Sequence, residues 1–271
     1  MELYRFRDGS APLLVSMPHT GTFIPEWLAP RLSPAARALP DTDWHLERLY
    51  DFLDELGASV LVATHSRYVV DLNRPPDNAN LYPGQDTTGI VPMDTFHREP
   101  IYLPGFPPSQ EELAERIRVY WQPYHQRLQQ ALAEMKAKHG YALLWDAHSI
   151  FSVLPRFFAG TLPELNLGTA DGRSCAAGIG EALARSVEGY SVALNGRFKG
   201  GYITRRYGDP SNGVHAVQLE LSEATYMHER APYGFREELA HDLRPQLRTL
   251  LELFLSLAGG ASPSPRARAK T

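Results

Sequence analysis

The sequence predicts an α/β fold, in which short buried strands alternate with amphipathic helices. Apolar runs such as Tyr141–Trp145 recur along the chain and are long enough for strands but too short for core helices. Longer stretches with helical periodicity lie between them, and Ser109–His139 is the clearest. Several apolar runs end abruptly in His, Asp, Asn or Arg. Because reactive side chains gather at the carboxyl ends of strands in open α/β sheets, these endings indicate a functional site.

The clearest ending follows Tyr141–Trp145, where the chain turns polar at Asp146, His148 and Ser149. An imidazole at such a place can be a metal ligand, and an acid two residues earlier could hold its second nitrogen. The structural alternative is a strand that simply leaves the core. The same pattern at three other strand ends favours the functional interpretation.

Length and composition are those of an ordinary globular protein. With 271 residues, of which 43% are apolar and 21% charged, the chain can bury a large core. We expect one domain over residues 1–258 and a disordered, small and basic tail over residues 259–271. The net charge of −4 gives no reason to expect nucleic acid or a membrane as a partner. The oligomeric state stays open.

The single cysteine, Cys175, excludes an internal disulfide framework and a cysteine-based zinc site. Any bound metal must therefore have His and carboxylate ligands. The N-terminus lacks the pattern of a signal peptide, and no apolar run approaches the ~20 residues of a transmembrane helix. We therefore expect a cytoplasmic protein.

The first part of the chain supplies candidate metal ligands. Pro12–Ser16 is predicted as a strand, and His19 lies in the loop just past it. Asp41 and Asp43 precede a helical pattern over residues 44–56. Capping of this helix would explain one aspartate, but a cap does not require two, so one of them could have another role.

Two further strands are predicted at Ala58–Thr64 and Tyr68–Leu72. Arg67 precedes the second of these runs, and Asn73 and Arg74 follow it. The strand would therefore present an amide and two guanidinium groups close to its ends.

The segment from Asp77 to Pro108 is rich in Pro, Gly, Asp and Asn and has no sustained period. Loops of this length in compact domains are usually functional or disordered. The aromatic residues Tyr82, Phe96, Tyr102 and Phe106 favour an ordered loop that covers something.

The long helix is expected to begin with a capping box at Ser109 and to kink near Pro123. His125 and His139 are predicted at its surface rather than as ligands. Beyond the Tyr141 strand, the patterns predict strands at Leu165–Thr169 and Tyr190–Leu194 and a helix over Ser174–Glu188.

The glycine-rich segment Asn195–Gly208 carries Arg197, Lys199, Arg205 and Arg206. It lacks the spacing of a P-loop. Cations held by a glycine-rich backbone suit a carboxylate better than a pyrophosphate, and a solvated basic loop is the alternative.

Val214–Ser222 is predicted as a strand in which Glu220 stands between Leu219 and Leu221. A carboxylate in such a strand is costly to bury unless it is paired or functional. A final amphipathic helix is predicted from Tyr233 to Ala258.

Together these residues predict metal-dependent hydrolysis of an amide in an anionic substrate. Two histidines, His19 and His148, and one carboxylate would leave an open position on zinc. Zinc lowers the pKa of its bound water to ~7 and polarises a carbonyl. Glu220 could move a proton from that water to a leaving amine, and an arginine could stabilise the oxyanion.

The motifs that contain these residues resemble those of the N-formylglutamate amidohydrolases, in the same order and over nearly the whole chain. They are Ser16–Gly21, Asp41–His45, Ser66–Arg74, Asp146–Ser149, Gly196–Arg205 and Gln218–Ser222. The resemblance implies a distant relation to the zinc carboxypeptidases and to the aspartoacylase and succinylglutamate desuccinylase group. It also implies a three-layer α/β fold with a central mixed, mostly parallel sheet.

The resemblance further implies the metal ligands. In the related enzymes a His-x-x-Glu pair supplies two ligands, and a histidine at a later strand end supplies the third. His19 resembles the first histidine, and His148 resembles the last. Thr22 stands where the glutamate is expected. Asp43, preferred to Asp41, is therefore expected to complete a site for a divalent metal ion, zinc by resemblance.

The remaining roles follow from the same resemblance. Glu220 resembles the catalytic base, and Arg67 is a candidate oxyanion donor. Asn73 and Arg74 resemble the pair that binds the substrate carboxylate.

The implied reaction is the hydrolysis of N-formyl-L-glutamate to formate and L-glutamate, the last step of one route of histidine breakdown. The second carboxylate of this small substrate would give Arg205 and Arg197 a role. Two other functions remain open, namely an N-acyl amino acid deacylase or carboxypeptidase-like hydrolase, and a metal-free module that binds a dicarboxylate. A metal assay and a formate-release assay distinguish the three.

Overall fold

The computed structural model describes residues 1–260, so most of the tail expected from residue 259 lies outside the described residues. Within residues 1–260, seven strands form one sheet. They are β1 (Tyr4–Arg7), β2 (Leu13–Met17), β3 (Ser59–Ala63), β4 (Ala142–Ile150), β5 (Leu165–Gly168), β6 (Val192–Leu194) and β7 (Val214–Ser222). Their order across the sheet is β1-β3-β2-β4-β7-β5-β6.

The sheet is mixed and mostly parallel, as expected. The central strands β3, β2, β4 and β7 are parallel to one another, and β5 is parallel to β6. The two antiparallel pairs are β1 with β3 and β5 with β7. Four neighbouring strands therefore end at the same edge of the sheet, which is where polar side chains can meet.

Helices cover both faces of this sheet. They are α1 (Pro34–Arg37), α2 (Leu46–Leu49), α3 (Gln110–Arg116), α4 (Gln122–His139), α5 (Ile179–Arg185), α6 (Tyr202–Tyr207) and α7 (Glu237–Gly260). A π-helical turn over Ile117–Trp121 joins α3 to α4. None of the helices within residues 1–260 is both long and apolar enough to cross a membrane.

Alternate residues of the central strands build two separate cores, which makes the fold three-layered. Leu143 and Trp145 of β4 pack on one face in a core with residues of α5 and α7. Leu144 of β4 packs on the other face in a core with α4 residues such as Leu128 and Leu132. A strand buried on both faces is apolar at nearly every position, which is why the sequence runs are so uniform.

The strands that border the site agree well with the sequence. The predicted strand Val214–Ser222 is β7 residue for residue. β4 extends the predicted run at Tyr141–Trp145 as far as Ile150, so that Asp146 and His148 lie within the strand. β1 was not predicted, because its residues are only alternately half-buried at the edge of the sheet.

The prediction of a strand at Tyr68–Leu72 is wrong. This run is buried but forms turns, with the N–H of Val69 donating to the carbonyl of Ser66 at 2.8 Å. The guanidinium of Arg116 donates to the carbonyls of Tyr68 and Val69, at 3.2 and 3.1 Å. A buried side chain thus replaces the neighbouring strand that these carbonyls would otherwise require.

The helix predicted over residues 44–56 is reduced to α2, a single turn. His45 adopts a left-handed conformation with φ of 63°, and no side chain caps α2, so the capping role considered for Asp41 and Asp43 is wrong. After α2 the chain continues as turns up to Gly57.

The long helix begins as predicted, since the Ser109 hydroxyl accepts a hydrogen bond from the N–H of Glu112 at 3.1 Å. The irregularity expected near Pro123 takes the form of the π-helical turn just before it. The glycine-rich segment contains a short helix, α6, that the sequence did not predict.

Candidate active site

Polar residues from three strands meet at one edge of the sheet. His19 lies just past β2, His148 near the end of β4, and Glu220 near the end of β7. Because β4 and β7 are parallel and pair His148 with Glu220 in register, the imidazole and the carboxylate stand side by side on one face.

Three buried side chains in this region, His19, Asp43 and His148, could hold a metal ion. One ligand atom from each lies within 4.8 Å of the others. Oδ2 of Asp43 is 3.1 Å from Nδ1 of His148 and 3.7 Å from Nδ1 of His19. The backbone N–H of Ser149 donates to the same oxygen at 3.2 Å and helps to fix it. Two imidazole nitrogens and one carboxylate oxygen are a ligand set that catalytic zinc sites use.

The other candidates for the third ligand lie elsewhere. The Asp41 carboxylate accepts hydrogen bonds from the backbone N–H of Phe96, at 3.1 and 3.0 Å, and thereby ties down the loop above the site. Thr22 is exposed. Asp43 is therefore the aspartate of its motif that lies beside both histidines.

A buried carboxylate approaches the far nitrogen of each histidine. Oδ1 of Asp71 lies 2.7 Å from Nε2 of His19, and Oδ1 of Asp146 lies 3.2 Å from Nε2 of His148. The acid two residues before His148 therefore lies beside its second nitrogen, but Oδ1 of Asp146 forms no hydrogen bond among the described residues, so a holding role for Asp146 stays a prediction. Burial lowers the pKa of His148, but Asp146 and Asp43 outweigh burial and hold it well above its usual value. Such outer carboxylates orient imidazole rings toward a metal and make them better ligands.

Several buried carboxyl groups gather at the centre of the site. Asp43, Asp71, Asp146 and Glu220 are buried, and Arg67 is the buried guanidinium that faces them. Burial alone would raise the pKa of Asp43 and Asp71, but neighbouring cationic groups hold both below the ordinary range. A divalent cation would offset the remaining negative charge, so the residues present fit a metal ion.

Glu220 lacks an ion pair with any Arg or Lys among the described residues. Its Oε2 accepts a hydrogen bond from the Gln218 amide at 3.3 Å. Burial raises the pKa of Glu220 to about 8, with a further contribution from Asp43 and Asp146, while His148 opposes them. A carboxyl group whose pKa lies near neutrality is suited to accept and then release a proton.

Arg67 is held rigidly but keeps one donor free. Its Nη2 lies 2.7 Å from Oδ2 of Asp71, and its Nη1 donates to the carbonyl of Asp41 at 3.2 Å. The guanidinium carbon also lies 4.7 Å from the ring centroid of Phe96. Nε of Arg67 is buried and has no partner among the described residues, so it could donate to a bound ligand.

Asn73 and Arg74 reach the same site from the turn that follows Asp71. Nδ2 of Asn73 lies 2.9 Å from Nε2 of His148, and its Oδ1 accepts a hydrogen bond from the N–H of Ile203 at 2.8 Å. Arg74 donates to the carbonyl and the hydroxyl of Thr88, at 2.9 and 3.2 Å. Arg74 therefore has neutral partners and remains available to an anion.

The prediction that His125 lies at the surface is wrong. Its ring is buried and stacks on Trp121, with 3.8 Å between centroids. Nε2 of His125 donates to the carbonyl of Leu72 at 2.8 Å, and Nδ1 lies 2.8 Å from the hydroxyl of Tyr207. Nε1 of Trp121 donates to the carbonyl of Arg74 at 3.0 Å. Two residues of the helical layer thus support the turn that carries Asn73 and Arg74.

A cleft opens beside these residues. The long loop over residues 77–108 lines it through Tyr82, Asp86, Thr87 and Phe96, which confirms that this loop is ordered and covers a site. Phe106, by contrast, is exposed.

The predicted arginines divide into two groups. Arg67, Arg74 and Arg197 line the cleft. Arg205 is not among the lining residues. Its Nε donates to the carbonyl of Gly200 at 2.7 Å, and its guanidinium carbon lies 5.1 Å from the ring centroid of Tyr82.

The sequence analysis did not assign Asp71 or His125 to the site. Asp71 interrupts the apolar run Tyr68–Leu72, just as Glu220 stands between two leucines. Because a buried carboxylate is costly unless it is paired or functional, the sequence does contain a signal for Asp71. No signal in the sequence marks His125, because its partners come from two other parts of the chain.

The sequence comparisons with known proteins point to one family. The model of the family described as N-formylglutamate amidohydrolase matches residues 11–227. A protein of Pseudomonas aeruginosa named N-formylglutamate deformylase is 52% identical over 258 residues, covering 94% of this chain and 97% of that protein. A protein of Pseudomonas putida with the same name is 49% identical over 254 residues, covering 93% and 95% of the two chains.

Solved structures share the fold over nearly the full length. The crystal structure of N-formylglutamate amidohydrolase from Ralstonia eutropha has a TM-score of 0.78 and 25% identity, and the match covers 96% of this chain and 98% of that one. A gene product of Agrobacterium tumefaciens has a TM-score of 0.70 and 20% identity, with 95% and 96% covered, and supports the fold alone. The match of the family model and the near-complete coverage at 52% identity show that the chain belongs to the N-formylglutamate amidohydrolase family.

Proposed function

We propose that this protein hydrolyses N-formyl-L-glutamate to formate and L-glutamate with the help of a divalent metal ion, zinc in our proposal. The observation that carries the proposal is the buried group of His19, Asp43 and His148 beside Glu220. The cleft at this group also contains two arginines, Arg74 and Arg197, that form no ion pair with an acidic residue within residues 1–260. Relatives that are about half identical over nearly their whole length are named for this activity.

His19, Asp43 and His148 would hold the metal, and the outer carboxylates of Asp71 and Asp146 would keep the two rings in place. When bound, the ion would polarise the formyl carbonyl and lower the pKa of a water molecule.

Glu220 is the proposed general base. It takes a proton from the attacking water and then delivers it to the amide nitrogen as L-glutamate leaves. Its raised pKa supports both steps, since a group that titrates near neutrality gives and takes protons with little bias.

Arg67 is the proposed oxyanion donor. When water adds to the formyl carbonyl, negative charge develops on the oxygen, and a preorganised cation stabilises it. The buried Nε of Arg67, which has no other partner among the described residues, supplies such a donor, and Asp71 keeps it from moving.

Asn73 and Arg74 are the proposed binding pair for the α-carboxylate, and Arg197 contributes a further cation to the cleft. For Arg205 we propose an indirect role. Its guanidinium carbon lies 5.1 Å from the ring centroid of Tyr82, so it would support the loop rather than contact the substrate.

The reaction would be the last step of one route of histidine breakdown, which the motifs imply by resemblance, and we propose the cytoplasm as its location. The small formyl group requires little space, so the residues that crowd His148 would not obstruct it.

The decisive experiment measures formate release from N-formyl-L-glutamate by the purified protein, before and after removal of metal and after addition of zinc. N-acetyl-L-glutamate, assayed by the release of acetate, serves as the matched substrate. We expect activity only with metal, and a clear preference for the formyl compound. Full activity in metal-stripped protein would exclude the metal, faster hydrolysis of the acetyl compound would identify another deacylase, and binding without turnover would identify a binding module.

A further inference from the structure

We infer that Arg197 selects substrates that carry a second carboxylate, by binding the carboxylate at the far end of the substrate side chain. This inference rests on the proposed function and adds to it the residue that distinguishes an acidic side chain from a neutral one.

The first observation is that Arg197 is fixed in place. Its Nε donates to the carbonyl of Phe157 at 2.6 Å, and its Nη2 donates to the carbonyl of Asp86 at 3.2 Å. Its guanidinium carbon lies 5.5, 5.5 and 5.2 Å from the ring centroids of Tyr82, Phe157 and Phe198. Ordering a long side chain is costly, and a fixed guanidinium has already lost that freedom before a ligand binds.

The second observation is that Arg197 has no acidic partner among the described residues. Its two hydrogen bonds go to neutral carbonyls. Asp86 accepts the hydrogen bond from Arg197 through its backbone carbonyl, while its carboxylate pairs with two other arginines, at 2.6 Å from Nη2 of Arg98 and 3.2 Å from Nε of Arg156. Burial, together with the nearby Arg74, lowers the pKa of Arg197, although the charges of Glu220 and Asp86 act in the opposite direction. A bound anion would supply the missing partner.

The third observation is that the three arginines of the cleft differ in their partners and in the segments that carry them. Arg67 is neutralised by Asp71 at 2.7 Å. Arg74 follows Asn73, whose side-chain Nδ2 lies 2.9 Å from Nε2 of His148. Arg74 therefore comes from the side of the cleft where the amide bond of the substrate would be hydrolysed. In a formylated amino acid the α-carboxylate is one carbon from that amide nitrogen. Arg197 belongs to the segment between β6 and α6 and is therefore left for the more distant carboxylate.

The test compares N-formyl-L-glutamate with N-formyl-L-glutamine, which has the same shape and a neutral side chain. We expect wild-type protein to prefer the glutamate compound in kcat/KM by about 10- to 100-fold, the range for a hydrogen bond to a charged group. Arg197→Gln should lower kcat/KM for the glutamate compound by a similar factor and leave the glutamine compound within about threefold. Arg197→Lys, which keeps the charge, should restore part of the preference.

Two control variants sharpen this comparison. Arg206 is an exposed arginine of α6 that does not line the cleft, so Arg206→Gln should leave the ratio of the two substrates unchanged. Arg74→Gln should lower kcat/KM for both substrates together, because both carry the α-carboxylate. L-glutamate and L-glutamine as inhibitors of the wild-type protein provide the same comparison without any substitution, and L-glutamate should inhibit more strongly.

Several outcomes would overturn the inference. It fails if Arg197→Gln slows both substrates equally, if Arg74→Gln alone changes their ratio, or if the wild-type protein processes both equally well. In those cases deformylation itself would still be observed, and the proposed function would stand. If wild-type, metal-loaded protein releases formate from neither substrate, both proposals are wrong.

Discussion

Asp71 and His19 are joined by a short buried contact beside the candidate metal site, with Oδ1 of Asp71 2.7 Å from Nε2 of His19. The second oxygen of the same carboxylate lies 2.7 Å from Nη2 of Arg67. One buried carboxylate therefore positions both a proposed metal ligand and the proposed oxyanion donor.

The first prediction concerns this shared carboxylate. Asp71→Asn should lower metal affinity by about 10- to 100-fold, the usual effect of removing an outer carboxylate behind a ligating histidine. It should also reduce the free energy of unfolding by about 3–5 kcal/mol, because buried Arg67 loses its closest counter-charge. Zinc titration against a competing chelator and urea unfolding measure the two effects. Wild-type metal affinity in a folded Asp71→Asn protein would contradict the role.

The second prediction compares the two aspartates of one motif. Asp43→Asn should reduce metal content strongly, because its oxygen is the one that faces both histidines. Asp41→Asn is the matched control and should retain metal, since Asp41 contacts the backbone of Phe96 instead. Metal analysis after dialysis against a weak chelator provides the comparison. A metal-free Asp41→Asn protein beside a metal-loaded Asp43→Asn protein would show that the ligands are assigned to the wrong aspartate.

The third prediction tests the proposed base. Glu220→Gln keeps the shape of the side chain but removes the proton acceptor, so kcat should fall by about 100-fold or more. Metal content should remain near one per chain. The melting temperature should hold or rise, because Glu220 is buried without an ion pair that the substitution could break. Normal turnover by a stable, metal-loaded variant would remove Glu220 from the mechanism.

The fourth prediction concerns Glu223, a buried carboxyl group just past β7 whose Oε2 has no partner among the described residues. Burial, reinforced by Asp43 and other nearby carboxylates, raises the pKa of Glu223 well above its usual value of 4.5. In the unfolded chain this group ionises above pH 4.5, whereas the folded chain keeps the proton. Its contribution to stability is therefore complete below pH 4.5 and declines as the pH rises.

Glu223→Gln should accordingly be more stable than the wild type at pH 8, by about 1–3 kcal/mol, and the difference should shrink toward pH 5. Urea unfolding of metal-stripped protein at both pH values measures it. The exposed Glu181 provides a control, since Glu181→Gln should change little at either pH. A variant at Glu223 that is less stable than the wild type at pH 8 would show that the carboxylate is needed in its charged form.

The fifth prediction concerns His125. Burial lowers the pKa of this imidazole to about 3, so it stays neutral in the folded chain while the unfolded chain protonates it below pH 6.5. Its contribution to stability is full above pH 6.5 and is lost as the pH falls below that value.

His125→Phe keeps an aromatic ring but leaves the carbonyl of Leu72 without its donor. The variant should be less stable than the wild type by about 1–3 kcal/mol at pH 7.5 and by less at pH 5. Tyr207→Phe, which removes only the partner of Nδ1, should have a smaller effect. A stability difference that grows as the pH falls would contradict the neutral, buried imidazole.

Local patterns in the sequence were sufficient to predict some features of the structure. β7 was predicted residue for residue, because its alternation, with a glutamate between two leucines, is local information. The assignment of Asp146 as the partner of His148 was also local, since alternate residues of a strand share a face.

Other features depend on contacts between distant parts of the chain. Tyr68–Leu72 has the composition of a strand, but Arg116, from a helix, satisfies its carbonyls and releases it from the sheet. His125 lies on a polar part of its helix in the sequence, yet α6 and the turn at Leu72 cover it. Neither outcome follows from periodicity, because each requires a buried polar partner that is remote in sequence.

The pairing of β4 with β7 limits how this protein can change in length. The two strands are matched at every position from Ala142 with Val214 to Ile150 with Ser222. A substitution alters one contact, but a one-residue insertion or deletion within either strand would turn every later side chain to the opposite face. Leu219 or Leu221 would then stand beside His148, and the carboxylate of Glu220 would enter the opposite core. Insertions and deletions compatible with activity should therefore fall in exposed connections away from the cleft, such as residues 186–191, and not within these two strands.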